Sequence, residues 1–284
     1  MLKTFFVSSR PLSWVNTAFP FAAAYVLAAG VDLTLVIGAI YFLIPYNFAM
    51  YGINDVFDYE SDLRNPRKGG VEGAVLDRSM HRPTLVAVAV TNVPFLVYLV
   101  AVGSSWSWLA LAASIFAVVA YSVKGLRFKE KPFLDSLTSS THFVSPAVYA
   151  LALAGATFTP QLLAVLGAFF LWGIASHAFG AVQDVIADRE GDISSIATVI
   201  GARATTRLAV VTYVAAGALL LLSDWPGPLV AALAVPYALS CAPHWNITDA
   251  EAETANRGWR RFLYLNFATG FFVTMLLIWW AIIR

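Results

Sequence analysis

Two short stretches concentrate acid in a way that asks for a cation. The first reads Asn54-Asp55-Val56-Phe57-Asp58-Tyr59-Glu60-Ser61-Asp62, the second Gln183-Asp184-Val185-Ile186-Ala187-Asp188-Arg189-Glu190-Gly191-Asp192. On continuous helices Asp55, Asp58 and Asp62 fall at i, i+3, i+7 and share one face; Asp184, Asp188 and Asp192 do so at i, i+4, i+8. Three like charges on one face repel unless something cationic sits among them. Hard divalent cations take oxygen ligands, and Mg2+ usually binds through a few carboxylates together with substrate phosphates. Two facing carboxylate clusters would hold a diphosphate through bridging Mg2+. The alternative is a pair of solvated, interfacial helix ends. A diphosphate also needs direct cations. Tyr121-Ser122-Val123-Lys124-Gly125-Leu126-Arg127-Phe128-Lys129 supplies them, Lys124 and Arg127 ahead of Lys129, with Arg10 and Arg64 as lesser candidates. The alternative for all of these is charge that only sets orientation.

The elements that position these residues are apolar. The 284 residues are 59% hydrophobic and 12% charged, with a mean hydropathy of +0.71. Soluble chains run near 45–50% apolar and about 25% charged, so the excess faces lipid. Nine apolar blocks occupy roughly 12–30, 33–53, 83–102, 106–121, 136–155, 160–181, 204–222, 226–243 and 259–283. A crossing takes about 20 helical residues, and runs of this length exclude barrel strands. Nine spans put every basic residue except Arg284, and every acid except Asp32 and Asp224, on the side of the N-terminus. The positive-inside rule makes that side cytoplasmic and places the C-terminus outside a cell membrane. The first ten residues lack the apolar region of a signal peptide. One cysteine, Cys241, makes no intramolecular disulfide, and a net charge of +1 argues against nucleic acid as partner.

Each acidic stretch closes an even-numbered block, four blocks apart. That spacing suggests an internal duplication within one domain over 1–284: halves of about 1–135 and 136–258, plus a ninth helix at 259–283. Asn54-Asp-x-x-Asp-x-x-x-Asp62 and Asp184-x-x-x-Asp188-x-x-x-Asp192 on nine spans resemble the UbiA-type intramembrane prenyltransferases over essentially the whole chain. The resemblance implies an all-α bundle whose two Asp motifs face a central cavity holding Mg2+ and the diphosphate of an allylic donor. It makes Asp55, Asp58, Asp184 and Asp188 the leading Mg2+ ligands and catalytic residues, with Asp62 and Asp192 weaker. Asn54 orients the diphosphate, and Tyr121, Ser122 and the basic positions after them reach it.

Shorter strings refine the resemblance. Asn65-Pro-Arg-Lys68, Leu126-Arg-Phe-Lys-Glu-Lys-Pro-Phe-Leu-Asp-Ser136 and His177-Ala-Phe resemble the lycopene elongase branch. That branch adds five-carbon units from dimethylallyl diphosphate to the ends of lycopene on the way to fifty-carbon carotenoids. The resemblance implies those two substrates as partners, along with the bilayer and other carotenoid-pathway enzymes. Quinone-precursor, haem, chlorophyll and archaeal-lipid prenyltransferases share the core motifs and form the alternative. The Asp-Gly-x-x-Ala-Arg string of CDP-alcohol phosphotransferases is absent. A secondary transporter is the non-enzyme alternative, though its carboxylates usually lie near mid-membrane rather than beside basic loops. The sequence names no residue to take up the proton released at the end of such a reaction.

Overall fold

The computed structural model describes residues 1–63 and 75–283, and every regular element among them is helical. Arg64 and the Asn65–Lys68 string lie outside the described residues. The α-helices are α1 (Leu2–Ser8), α2 (Val15–Ala29), α3 (Leu33–Leu43), α4 (Pro45–Phe57), α5 (Tyr59–Asp62), α6 (His81–Ala101), α7 (Ser105–Ser122), α8 (Leu134–Leu153), α9 (Pro160–Val182), α10 (Val185–Glu190), α11 (Ile196–Leu220), α12 (Ala234–Cys241) and α13 (Asn256–Ile283).

Six helical stretches among the described residues are long and apolar enough to cross a membrane: Pro11–Ala29, Leu33–Phe57, Arg78–Ala101, Ser105–Ser122, Pro160–Val182 and Asp249–Ile282. The other three apolar blocks are helical but fall short. Helix α8 opens on Asp135 and a Ser/Thr-rich run that includes His142. Helix α11 carries Arg203 and Arg207. Residues 226–243 divide into a 3-10 segment, Gly227–Leu233, and the eight-residue α12.

The chain forms two units. The first comprises Met1–Phe128 and Thr141–Ala156, the second Lys129–Ser140 and Thr157–Arg284. In lipid the driving force between helices is close packing and internal hydrogen bonding rather than removal of apolar surface from water. The first unit follows that rule. Phe21, Phe42, Tyr46 and Tyr149 meet as rings, with centroids 5.1 Å apart for Phe21–Phe42 and Phe42–Tyr46 and 6.0 Å for Phe42–Tyr149. Gly38 makes this approach possible, because a Cβ there would lie 2.1 Å from Phe21 Cζ. Two of the buried phenols are hydrogen-bonded to backbone: Tyr149 Oη donates to the Leu99 carbonyl (3.0 Å) and Tyr46 Oη to that of His142 (3.3 Å).

The break between α3 and α4 sets up the first acidic stretch. Pro45 has no N–H to continue α3 and its ring is preorganised for a first helical turn, so one apolar block becomes two helices. Buried Asn47 makes good the interrupted ladder, its Nδ2 donating to the carbonyls of Phe42 (2.9 Å) and Leu43 (3.1 Å) and to Thr17 Oγ1 (2.7 Å). Asn47 is therefore an interhelical bond between α4 and α2.

In the second unit α9 packs along α11, and buried Ala175 of α9 shares one core cluster with Ala202 and Ala209 of α11. A polar pair joins the two helices, Ser176 Oγ with Tyr213 Oη at 2.9 Å, and Ser140 Oγ of α8 donates to the Phe170 carbonyl of α9 at 2.6 Å. Helix α11 breaks at Gly201 (φ 80°, ψ 161°). The Ala202 N–H that restarts it donates to Asp249 Oδ1 at 2.7 Å.

Candidate functional site

The helices that carry the acids do not continue through them. Helix α4 ends at Phe57 and is capped by Asp58 (φ −100°, ψ 1°), after which α5 begins. Helix α9 ends at Val182, and α10 starts after Asp184. The backbone ladder nonetheless bridges both breaks: Asp62 N–H donates to the Asp58 carbonyl and Asp188 N–H to that of Asp184, each at 2.8 Å. The i, i+4 relation therefore survives within each motif. It does not extend to Asp192, which adopts a left-handed φ of 59° beyond the end of α10 and is exposed. The expectation of three carboxylates on one continuous face needs that correction, because Gly191 closes the helix one residue too early.

In the first unit Asp55 is fully buried, and Asp58 and Asp62 are 4% and 5% exposed. A buried carboxylate is costly unless paired, and the carbonyl end of a helix is the wrong end for an anion. Two guanidinium groups offset this. Arg10 Nη2 donates to Asp55 Oδ1 at 3.0 Å, and Arg127 Nη2 lies 3.7 Å from Asp58 Oδ1. Arg127 Nη1 also donates to the Phe57 carbonyl at 3.3 Å, one of those exposed by the helix end. Burial alone would lower the Arg10 pKa, but Asp55, with help from Tyr51, raises it above the ordinary arginine value, so the guanidinium stays charged. Its carbon sits 4.4 Å from the centre of the Tyr51 ring.

Both arginines are delivered by strained backbone. Arg10 has φ 49° and Arg127 φ 41°, the left-handed region that costs a residue with a side chain roughly 1–3 kcal/mol. Arg10 reaches the site because α1 docks on α4, with Phe5 against Phe48 at 5.3 Å. Arg127 ends a turn that follows α7 through Gly125 (φ 95°).

Most of the remaining candidates lie in the same unit. Asn54 Nδ2 donates to buried Ser122 Oγ at 3.0 Å, tying α4 to α7 beside the acids. The Tyr121 ring meets that of His142 edge-on at 5.2 Å. Lys124 lies exposed on the turn, and Lys129 half-buried beyond it. At the near end of α6, Arg78 pairs with Glu60.

In the second unit Asp184 and Asp188 are half-buried. Arg189, between the acids, is held outward: its Nη1 donates to Asp249 Oδ2 at 2.6 Å and its Nη2 to the Thr198 carbonyl at 2.9 Å. The structure also joins two strings far apart in sequence. Ser136 Oγ lies 3.1 Å from His177 Nδ1, and the Ser136 N–H donates to Asp135 Oδ1 at 2.6 Å. Fully buried Asp135 also accepts from the Ile196 N–H at 2.8 Å, capping α11. Asp135 belongs to neither acidic motif; its signal in the sequence is an acid just ahead of the serine-rich run of an apolar block.

Among the described residues no three His, Cys, Asp or Glu side chains converge as a complete metal cage. The donors are all carboxylate oxygens, the kind Mg2+ takes when a substrate's phosphates and water complete its shell. The residues present fit that mode of binding and do not fit a closed structural site of the zinc kind.

Residues 17–267 match the model of the UbiA prenyltransferase family. The chain is 54% identical over 278 residues to a lycopene elongase/hydratase of Corynebacterium glutamicum, covering 98% of this chain and 97% of that one. It is 62% identical over 281 residues to the C(50) beta-cyclic carotenoids biosynthesis protein LbtBC of a Dietzia species, covering 98% of this chain but only 65% of that protein's length. Its fold is similar to that of a UbiA homolog from Archaeoglobus fulgidus bound to DMAPP and Mg2+, with a TM-score of 0.70 at 17% identity over 94% of this chain and 98% of that one. With the family match spanning most of its length and a full-length relative more than half identical, the chain belongs to the UbiA prenyltransferase family.

Proposed function

We propose that the chain is a multi-pass membrane enzyme of nine spans that transfers a five-carbon prenyl group from dimethylallyl diphosphate to lycopene. Asp55, Asp58, Asp184 and Asp188 act together on one diphosphate at the cytoplasmic face, with Asp62 and Asp192 at the edges of the two motifs. The observation that carries this reading is the buried acidic end of α4, where two arginines on strained backbone reach two carboxylates at 3.0 and 3.7 Å. Such a site already balances anion against cation and is suited to exchange part of that balance with a charged ligand.

When bound, Mg2+ supplies Lewis-acid stabilisation of the departing diphosphate. The chain's own groups do the rest. Arg10 and Arg127 donate hydrogen bonds to the diphosphate oxygens as the allylic C–O bond breaks and negative charge moves onto them. Asn54 and Ser122, bonded to each other, orient one end of the group, Tyr121 closes over it, and Lys124 reaches it from the exposed turn. Arg64 completes the basic set. The terminal double bond of the acceptor then attacks the cationic carbon, held close enough to react before water does.

The acceptor assignment is supported by the names of the relatives and by charge distribution. Every basic residue sits at a block end or joint, so a carboxylated acceptor held deep in the membrane would lack a cationic partner. A neutral polyene needs only an apolar channel, favoured by about 0.8 kcal/mol per buried CH2-sized group. The test is incubation of the purified protein with lycopene, dimethylallyl diphosphate and Mg2+, followed by mass spectrometry. The expected products are a forty-five-carbon and then a fifty-carbon carotenoid. Unchanged lycopene alongside prenylation of a hydroxybenzoate or naphthoate would leave only the family standing.

A further inference from the structure

Four arginines of this chain are ion-paired: Arg10 with Asp55, Arg78 with Glu60, Arg127 with Asp58 and Arg189 with Asp249. Arg257, Arg260 and Arg261 differ. All three are exposed near the start of α13, and among the described residues no carboxylate pairs with any of them. The first turn of α13 holds no acid. Of the acids just before it, Asp249 is held by Arg189, and Glu251 accepts from Thr248 Oγ1 at 2.8 Å. Glu253 is exposed.

This arrangement is unfavourable by itself. Arg257 and Arg261 stand four residues apart on one helix face and repel. The first turns of a helix carry partial positive charge, which disfavours cations and favours an anion. His244, from the 3-10 turn Ala242–His244, borders the same place, its ring 5.8 Å from that of Phe179. Burial, then Arg261 and Arg257, push the His244 pKa below the ordinary histidine value, so the ring is neutral at pH 7 and keeps one N–H to donate. Both arginines act on this ring, so the three groups converge.

The same face of α13 turns apolar directly beyond the charges. Tyr264, Phe267, Phe271 and Met275 follow Arg260 at helical spacing, and all four are exposed. From Tyr264 to Met275 this strip is roughly 16 Å long, at 1.5 Å per residue. Exposed Trp245, next to His244, flanks the charged end, with Arg207 Cζ 5.3 Å from its ring centre. Tryptophan and tyrosine are enriched where a membrane meets water. One helix face therefore offers a cationic head and an apolar tail.

We propose that this face of α13 binds an anionic phospholipid, with Arg257, Arg260, Arg261 and the His244 N–H at the headgroup phosphate and an acyl chain along Tyr264, Phe267 and Phe271. Guanidinium groups match phosphate oxygens in charge and geometry, and basic pockets beside membrane helices take anionic headgroups. The apolar strip selects a lipid over a free phosphate. The site adjoins the second acidic stretch. Asn256 Nδ2 donates to Gln183 Oε1, and a Cβ on Gly180 would lie 3.1 Å from Trp259 Nε1. A lipid held there secures the start of α13 beside Asp184 and stabilises the folded protein. None of this depends on which acceptor is prenylated.

The test titrates the detergent-solubilised protein with dioleoyl phosphatidylglycerol, dioleoyl phosphatidylcholine or inorganic phosphate. Bound lipid is read by native mass spectrometry, and the melting temperature is followed in parallel. Arg257→Gln/Arg261→Gln is compared with Lys3→Gln/Arg82→Gln, which removes the same charge from exposed positions elsewhere. Wild type should bind phosphatidylglycerol at least about tenfold more tightly than phosphatidylcholine, and its melting temperature should rise with the former and not the latter. The α13 variant should lose about thirtyfold in phosphatidylglycerol affinity, the effect of two basic side chains at an anionic surface, and the rise with it. The control should stay within about threefold of wild type. Equal wild-type affinity for the two lipids would overturn the proposal even if a variant failed to fold, and so would equal losses in the two variants. Inorganic phosphate binding that the α13 variant abolishes, without a preference for phosphatidylglycerol, would make this a site for free anions and overturn the lipid assignment.

Discussion

Asp55 and Asp58 occupy the carbonyl end of α4, where the helix dipole disfavours them, and each is neutralised by a guanidinium from elsewhere in the chain. If that arrangement serves a metal–diphosphate complex, Asp55→Asn and Asp184→Asn should each lower turnover at least about a hundredfold, since each removes a ligand from a coupled cluster. Excess EDTA should stop the wild type and Mg2+ restore it; full turnover in EDTA would count against the mechanism. Arg10→Ala adds a structural consequence. Breaking a buried pair leaves Asp55 charged and unpaired, at a cost of about 3–5 kcal/mol. Both donor affinity and melting temperature should fall, and a variant as stable and as tightly binding as wild type would argue against a working ion pair. The acids themselves are legible in sequence, because clustered like charges at regular spacing have few structural excuses. The ranking of the basic residues is not. Arg10 is 45 residues from Asp55, and what brings it there is the docking of Phe5 on Phe48 together with a left-handed backbone. Lys124, nearer in pattern to the acids, stays on the exposed side of its turn.

The elements were readable where hydrophobicity was continuous and less so where it was interrupted for a reason. Pro45 splits one apolar block into α3 and α4 without ending the stretch long enough to cross the membrane. Helices α8 and α11 are too polar to announce themselves as spans, and their polar residues are the ones that cap and link: Asp135 and Ser136 to His177 and Ile196, and Ser140 to Phe170. A pairing such as Ser136 with His177, 41 residues apart, has no periodic signature. Gly201 is the element-scale feature most open to test. Its φ of 80° breaks α11 so that Asp249 can cap Ala202 while also holding Arg189 of the second acidic stretch. Gly201→Ala would force a Cβ into the left-handed region, 3.3 Å from Asp249 Oδ1. The expected loss is about 1–2 kcal/mol, seen as a melting temperature several degrees lower; an unchanged melting temperature would show that the break relaxes without strain.

At the scale of the whole molecule, the proposed reaction requires both acidic stretches on one side of the membrane. Among the described residues six helical stretches satisfy length and composition for crossing, and the nine-span topology rests on the two more polar blocks and the broken block 226–243 crossing as well. Single cysteines at exposed Glu60 and Ser194 should react with an impermeant maleimide only from the cytoplasmic side, and one at exposed Asp224 only from outside. The native Cys241 is buried and adds little background. Labelling of positions 60 and 194 from opposite sides would separate the two acidic stretches and dismantle a shared diphosphate site. The central claim is the reaction itself, and the most direct measurement is the carotenoid profile of a lycopene-accumulating host with and without this chain. The account predicts that lycopene converts in two steps, each adding one five-carbon unit, and that the conversion disappears in the Asp55→Asn variant. Lycopene unchanged by expressed, folded protein would contradict it.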